Sequence, residues 1–577
     1  MKPLSLFCCT LVCGLALVTT RCAGRSGSTE IPHLRKQGTA TQLIVDGKPF
    51  LALSGELSNS SATSVEYMKL VWPRLLAQTK LNTVLAGVSW NQIEPQEGKF
   101  DFSVLDGLIQ GARSHNLRLV LLWFATWKNG LSSYPPDWVK KDFERFPRAQ
   151  MVGDQTPWPV FGAFRNPVTG SLSIELLSPL SDATRDADAR AFAALMRHVK
   201  AVDGQQHTVI MIQVENEIGM QKDTRDRSPA ANQAYAGPVP KELMDYLQQH
   251  KETLIPEFRQ GWEKAGFKTS GTWEEVFGKG VWTDDIFMAW NFARHVGRVA
   301  AAGKAEYPIP MYVNAAPDNF DSRNGSQPRR GQSVSPRDDL MDVWRAGAPR
   351  IDILSPDAYA DGARFAAFCA KYTQSGNPLF IPETGVGPTS AARALYAFGR
   401  HDAIGFSPFG VDREDRLGNA PELTGVYDLL SQLAPLISEH QGNGTMTAVM
   451  LGPQDPPEKI QLGNYTLEVT FWPIRYTMPL LMPGEPPPGA PPLAAAMFIA
   501  TGPDEYFAAG SGVKVTFSPN TPGPPLAGLG TVEEGTFVNG RWVPGMRLAG
   551  DDTGQGADLF EVQRHLGIQR FTLYRYR

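Results

Sequence analysis

The sequence predicts an α/β chain, a (β/α)8 TIM barrel followed by a C-terminal β-sandwich-like domain. Three observations predict it. Between about residues 50 and 410, short apolar runs alternate with longer amphipathic stretches, the pattern of parallel strands joined by helices. Eight such runs can be counted, at 50–54, 82–89, 118–123, 208–214, 310–314, 351–355, 378–382 and 403–407. Past about residue 445 the helical stretches give way to segments that alternate like antiparallel strands. An open doubly wound sheet is the alternative, and it loses ground because no Gly-rich phosphate loop follows the first run. A barrel places its active site at the C-terminal ends of its strands.

In chain order, Met1-Lys2-Pro3, an apolar stretch over 4–18 and a short tail to Gly24 read as a secretory signal over 1–24. Its apolar core is shorter than the roughly 20 residues that cross a bilayer, so no integral membrane span is expected. Lipidation at Cys22 competes with cleavage near Ala23 or Gly24, but Thr19-Thr20-Arg21 lacks the expected small apolar pattern. Of five cysteines, four lie in or beside this leader; Cys369 alone remains, so the mature chain forms no internal disulfide. The expected location is the periplasm of a Gram-negative bacterium, or its outer membrane as a lipoprotein. Net charge is −4 with no long basic run, which gives nucleic acid no support as a partner. No residue pattern specifies an oligomeric state.

The catalytic barrel is expected over 25–440. Helical stretches at 65–78, 104–114, 186–202 and 286–301 separate its strands, and Pro/Gly-rich insertions at 135–178 and 318–337 read as loops over the mouth. The β-rich domain, 441–577, shows strands at 465–472, 495–500, 512–517 and 569–576. A proline-rich run at 483–492 separates two of them, and Asn539-Gly540 signals a hairpin turn.

Two strands end on glutamates. Val214-Glu215-Asn216-Glu217-Ile218-Gly219 closes the fourth run, and Ile381-Pro382-Glu383-Thr384-Gly385 closes the seventh. Two carboxyls from different strands suit retaining glycoside hydrolysis, where one protonates the leaving oxygen and the other attacks the anomeric carbon. Strict alternation places Glu215 and Glu217 on one side and Asn216 on the other. A site using Asn216 and Glu217 together therefore requires an irregular strand end. The plainer alternatives are glutamates capping a helix that begins near Gly219, and a Glu383 paired with an arginine across the mouth.

Asn216-Glu217 on strand four with Glu383 on strand seven resembles the clan A glycoside hydrolases. Within that clan, Gln213-Val214-Glu215-Asn216-Glu217-Ile218-Gly219 is similar to family 35, the β-galactosidases. Trp90-Asn91-Gln92-Ile93-Glu94-Pro95 and Ala125-Thr126-Trp127 are further matches, and the terminal β domain resembles one found in a bacterial subgroup of the family. The resemblance implies Glu217 as acid/base, Glu383 as nucleophile and Asn216 as donor to the sugar 2-hydroxyl. Tyr359 could donate to Glu383, or be a packed loop aromatic.

The chain departs from the family where it has Gly87 for a tyrosine, Ile93 for a histidine and Thr126 for a glutamate. The first strand shows Gly55-Glu56-Leu57-Ser58 instead of a His-Tyr pair. A sugar hydroxyl without a carboxylate at Thr126 would need a partner from Glu94, Asn129 or Glu56. Trp90 or Trp127 could stack on a pyranose face. No metal-ligand cluster appears, and no cofactor is expected. The reading is an exo-acting retaining β-galactosidase releasing terminal β-galactose from oligo- or polysaccharides, such as plant xyloglucan side chains. Another clan A β-glycosidase (a β-glucosidase or endo-glucanase) and a non-catalytic carbohydrate-binding barrel are the alternatives.

Overall fold

The computed structural model describes residues 30–150, 164–165, 172–173, 175–220, 223–316, 334–413, 421–472, 492–550, 552–553, 560–562 and 566–577. The leader, most of the 318–337 loop and nearly all of the proline-rich run lie outside them.

Eight parallel strands form the barrel: β1 (Ala52–Glu56), β2 (Thr83–Ser89), β3 (Arg118–Lys128), β4 (Val209–Asn216), β5 (Met311–Ala315), β6 (Ile353–Pro356), β7 (Phe380–Thr384) and β8 (Gly405–Pro408). Each corresponds to one predicted run, in order. Nearly every residue in them is buried, because helices cover one face and the barrel interior the other. Leu85, Val120, Leu122, Ile210, Tyr312 and Phe380 fill the interior, plugged by Leu43 and Val45 from an antiparallel N-terminal layer. Their neighbours Val84, Ala86, Leu119, Leu121 and Trp123 belong to the outer core under the helices. The predicted helices appear as α1 (Val65–Thr79), α2 (Ser103–Ser114), α3 (Asp182–Asp203) and α4 (Val281–Glu306). Ser64 and Ser181 cap the first and third, each accepting a backbone N–H at 3.2 Å.

The strands neighbour one another in the order β6-β5-β4-β3-β2-β1-β8-β7, so only the β6–β7 seam needs separate closure. At its C-terminal end Asp357 pairs with Glu383 as an isolated parallel bridge, and the Ala358 N–H donates to the Glu383 carbonyl at 2.9 Å. Lower down, the Asn377 side chain imitates a strand, accepting from Leu354 N at 3.1 Å and donating to Leu354 O at 2.9 Å. The barrel is thus closed at Glu383, the penultimate residue of β7.

Helices α5 (Gly362–Tyr372), α6 (Ser390–His401) and α7 (Pro421–His440) complete the wall. Beyond α7 come β9 (Met446–Leu451), β10 (Glu458–Leu462), β11 (Tyr465–Phe471), β12 (Ala494–Ala500), β13 (Glu505–Ser511), β14 (Val513–Pro519), β15 (Leu526–Val538), β16 (Arg541–Leu548), β17 (Phe560–Val562) and β18 (Gly567–Tyr576). They form a six-stranded sheet, β9-β12-β13-β18-β15-β16, facing a four-stranded one, β10-β11-β14-β17. Leu467, Val469, Phe498, Tyr506, Val515 and Phe571 pack between the two. Asn539 and Gly540 make the expected two-residue turn, both at positive φ (51° and 73°), between paired Val538 and Arg541. The outer face of the larger sheet packs on α6. The approach is so close at Gly399 that a Cβ there would meet Ala448 Cβ at 2.7 Å. Among the described residues, no helix is long and apolar enough to cross a membrane.

Candidate active site

The mouth of the barrel is built by residues that end strands. Glu56 closes β1, Lys128 and Asn129 close β3, and Asn216 and Glu217 close β4. Asn314 stands near the end of β5, Asp357 and Tyr359 follow β6, and Glu383 lies in β7.

The irregular end that β4 requires is present. Glu215 has φ 63° and Glu217 φ 43°, left-handed positions that non-glycine residues seldom adopt. The cause lies in β3. Trp123 pairs with Val214 and Lys128 with Asn216, so residues 124–127 stand against the single residue Glu215 and leave backbone donors unpaired. The Glu215 carboxyl supplies what the ladder lacks, accepting from Thr126 N at 3.0 Å and Trp127 N at 2.8 Å. Glu215 therefore turns out of the mouth, towards Asp188 of α3 and His295 of α4, while Asn216 turns in. The helix-cap alternative is excluded by the backbone, since residues 217–220 are not helical.

Asp188 organises the network behind the strand. It accepts from Trp123 Nε1 at 2.9 Å and Thr126 Oγ1 at 2.6 Å, and meets His295 Nε2 at 3.2 Å, all fully buried. Burial, then the adjacent Asp188, pushes the Glu215 carboxyl well above its usual range. Asp188, Glu215 and His295 are near enough to share an ion, as are Glu217, Asp357 and Glu383. The first group is already committed to hydrogen bonds with its own fold.

Within the mouth, Glu217, Asp357 and Glu383 each present an oxygen within 4.8 Å of the others. Tyr359 donates its hydroxyl to Glu383 Oε2 at 2.8 Å. Asn314 ties two members together. Its Oδ1 accepts from Glu217 N at 2.9 Å and its Nδ2 donates to Asp357 Oδ2 at 2.7 Å. The Asn216 amide lies between them; with its nitrogen turned to Glu383 (3.3 Å), its oxygen accepts from Lys128 Nζ at 3.0 Å. Burial and then the neighbouring Glu383 push Glu217 up to about 7, against the opposing pull of Lys128 and Asp357. The same causes, burial first and Glu383 second, raise Glu56 and Asp357 well above ordinary carboxyls.

The structure brings together Asn216, Glu217, Glu383, Tyr359 and Asn129, whose side-chain amide lies 3.1 Å from that of Asn216. Four other sequence candidates have different surroundings. Trp90 is fully buried and donates from Nε1 to Glu94 Oε2 at 2.8 Å, with Trp138 edge-on at 5.8 Å. Glu94 also accepts from Gly98 N at 2.7 Å, so it braces the loop after β2. Trp127 is fully buried and bound to Leu177 O at 3.0 Å. The expected stacking platform is therefore corrected, because neither indole has a face left for a sugar. The Thr126 hydroxyl is spent on Asp188, and Thr126 N on Glu215. The departure at Gly87 has a steric reason: a Cβ there would meet Phe124 Cε2 at 2.6 Å. That same Phe124 ring supports the Lys128 ammonium 4.2 Å from its centroid.

Sequence reasoning missed Lys128 and Asn314 in the mouth, and Asp188 and His295 behind it. Lys128 and Asn314 carry the signal that found Glu217, a polar side chain at the end of an apolar run. Asp188 and His295 sit on helices, with no such marker.

Residues 72–291 match the family model of glycoside hydrolase family 42, described as β-galactosidase, and residues 423–560 match a domain of unknown function. A β-galactosidase of Xanthomonas manihotis is 28% identical over 223 residues, covering 37% of this chain and 30% of the relative. Beta-galactosidase 11 of Arabidopsis thaliana is 41% identical over 66 residues, covering 11% of this chain and 7% of the relative. Among solved structures, a β-galactosidase of Bacillus circulans sp. alkalophilus superposes with a TM-score of 0.42 at 15% identity, covering 67% of this chain and 57% of that one. The barrel is similar to β-galactosidases of glycoside hydrolase clan A. The chain spans less than a third of the length of the curated relatives it matches.

Proposed function

We propose that the chain is an exported, exo-acting β-galactosidase that hydrolyses terminal β-galactosides with retention, with its catalytic barrel over 25–440 and a supporting β-rich domain over 441–577. The observation that carries this reading is the pair Glu217 and Glu383, with oxygens within 4.8 Å of one another at the ends of β4 and β7. That closeness fits the ~5–5.5 Å carboxyl separation of retaining enzymes rather than the ~6.5–9.5 Å of inverting ones. Glu383, oriented by the Tyr359 hydroxyl, attacks C1 while Glu217 gives its proton to the departing oxygen. Glu217 then takes a proton from water, whose oxygen displaces Glu383 from C1 and releases galactose. A Glu217 held near pH 7 is suited to both duties. Asn216, with its nitrogen turned into the mouth, is placed to donate to a 2-hydroxyl.

The Gln213–Gly219 stretch reads as family 35 while the matched model is family 42, so the reading rests on what these β-galactosidases share rather than on either family. Side-chain galactose on a plant wall glycan such as xyloglucan, met in a Gram-negative periplasm, is the substrate setting we favour. The departures at Gly87, Ile93 and Thr126 favour one second reading, a clan A glycosidase for another sugar. The test is hydrolysis of 4-nitrophenyl β-galactoside by the wild type beside Glu217→Gln and Glu383→Gln. Activity that both substitutions nearly abolish is expected. A wild type inert on galactoside but active on a glucoside moves the substrate, and mutants equal to wild type overturn the mechanism.

A further inference from the structure

Retaining chemistry needs two carboxyls, and this mouth holds a third with an oxygen within 4.8 Å of both. Asp357 is fully buried, and its place is fixed: its N–H donates to Ala315 O at 2.7 Å, and its backbone pairs with Glu383 across the barrel seam. Its Oδ2 accepts from Asn314 Nδ2 at 2.7 Å, while Oδ1 is buried without a hydrogen-bond partner. Both Glu217 and Glu383 offer an oxygen within 4.8 Å of an Asp357 oxygen. The titratable groups around it are Glu56 from β1, Glu217 after β4, Tyr312 from β5, Tyr359, Tyr372 from α5 and Glu383 from β7. Two cations stand nearby: Lys128, whose ammonium is 3.0 Å from the Asn216 amide oxygen in the orientation that turns the amide nitrogen to Glu383, and the buried Arg393, which donates to Thr384 Oγ1 at 2.7 Å and Gly385 O at 2.6 Å behind Glu383.

Three carboxylates this close in a dry site cannot all be ionised. Glu383 accepts the Tyr359 hydroxyl and must attack as the anion. Glu217 must gain and lose a proton in each turnover. We propose that Asp357 is a positioning residue that works as a neutral carboxylic acid, its Oδ1 proton directed at Glu217. This rests on the reading of Glu217 as acid/base. A neutral Asp357 keeps a second negative charge away from the nucleophile. It also gives Glu217 a donor when Glu217 stands as a carboxylate in the glycosyl-enzyme stage. Asn314 fixes which Asp357 oxygen keeps the proton, since its Nδ2 claims Oδ2. Burial and the surrounding carboxyls raise Asp357 in the direction this role requires.

The test compares pH–rate profiles of Asp357→Asn and Asp357→Ala with wild type, on whichever aryl glycoside the wild type hydrolyses. Asparagine is neutral and retains a donor. Its rate falls with the changed geometry, but its basic limb is expected to stay at the wild-type position. An ionised Asp357 predicts the opposite: removing its charge would drop the basic limb by about one pH unit or more, and that result overturns the proposal. Alanine removes the donor, and its basic limb is expected to rise by about one pH unit. Should Asp357→Ala fail to fold, the asparagine variant decides alone. An activity-independent arm is the infrared carbonyl band of a protonated carboxylic acid at neutral pH. Its loss in Asp357→Asn supports the proposal, and identical spectra overturn it. Loss of that band with no glycosidase activity in any variant would sink the acid/base reading while leaving Asp357 neutral.

Discussion

Replacing Glu215 by alanine tests whether the bulge in β3 is what aims the end of β4, where the proposed acid/base stands. The substitution removes the acceptor for two buried N–H groups, those of Thr126 and Trp127. Each stranded donor costs ~1–3 kcal/mol, so the pair costs ~2–6 kcal/mol before any rearrangement. That is a large share of the ~5–15 kcal/mol by which a typical domain is stable. The functional cost follows from position, since Glu215 immediately precedes Asn216 and Glu217. A displacement of ~1 Å at a catalytic group lowers turnover ~100-fold. Glu215→Gln keeps the volume but sets an amide donor against one of the two N–H groups, so it is expected to lose about half as much stability. The assay is calorimetric melting beside kcat/KM on an aryl β-galactoside. Glu215→Ala melting within ~1 °C of wild type with undiminished kcat/KM would refute the reasoning.

Two further outcomes follow from the mouth itself. The acid must be protonated to act, so kcat/KM is expected to fall as pH rises through the Glu217 value of about 7; a rate that still climbs well above that pH removes Glu217 from the role. Tyr359→Phe deletes the donor to Glu383 Oε2 and is expected to cost ~10- to 100-fold in kcat/KM. The melting temperature should hold, because Tyr359 is 43% exposed; equal rates for the two proteins would reduce the hydroxyl to a packing role.

The barrel is legible in the sequence because its strands are buried on both faces, which writes each as a short apolar run whatever the loops do. The glutamates ending two of those runs are legible for the same reason. What the residues could not disclose is the sign of φ at Glu215. That depends on four residues of β3 standing against one residue of β4, and no local pattern in either strand encodes the mismatch. The tryptophans fail as sugar platforms for a related reason. Their positions at strand ends are plain in the sequence, but their burial involves partners well along the chain, Trp138 for Trp90 and Leu177 for Trp127. Lys128 could have been found, since it ends an apolar run as Glu217 does.

Lys128 also explains how a mouth so rich in carboxyls can direct an amide. In the proposed mechanism Asn216 serves only if its nitrogen, not its oxygen, faces Glu383 and the sugar hydroxyl. In that orientation the Asn216 oxygen is 3.0 Å from the Lys128 ammonium and its nitrogen 3.3 Å from Glu383. A cation accepts no hydrogen bond, so the ammonium favours the oxygen on its side and sends the NH2 group towards Glu383. The ammonium in turn is held against Phe124, and Phe124 fits only because residue 87 lacks a side chain. The departure at Gly87 thus links to the end of β4 through Phe124, Lys128 and Asn216.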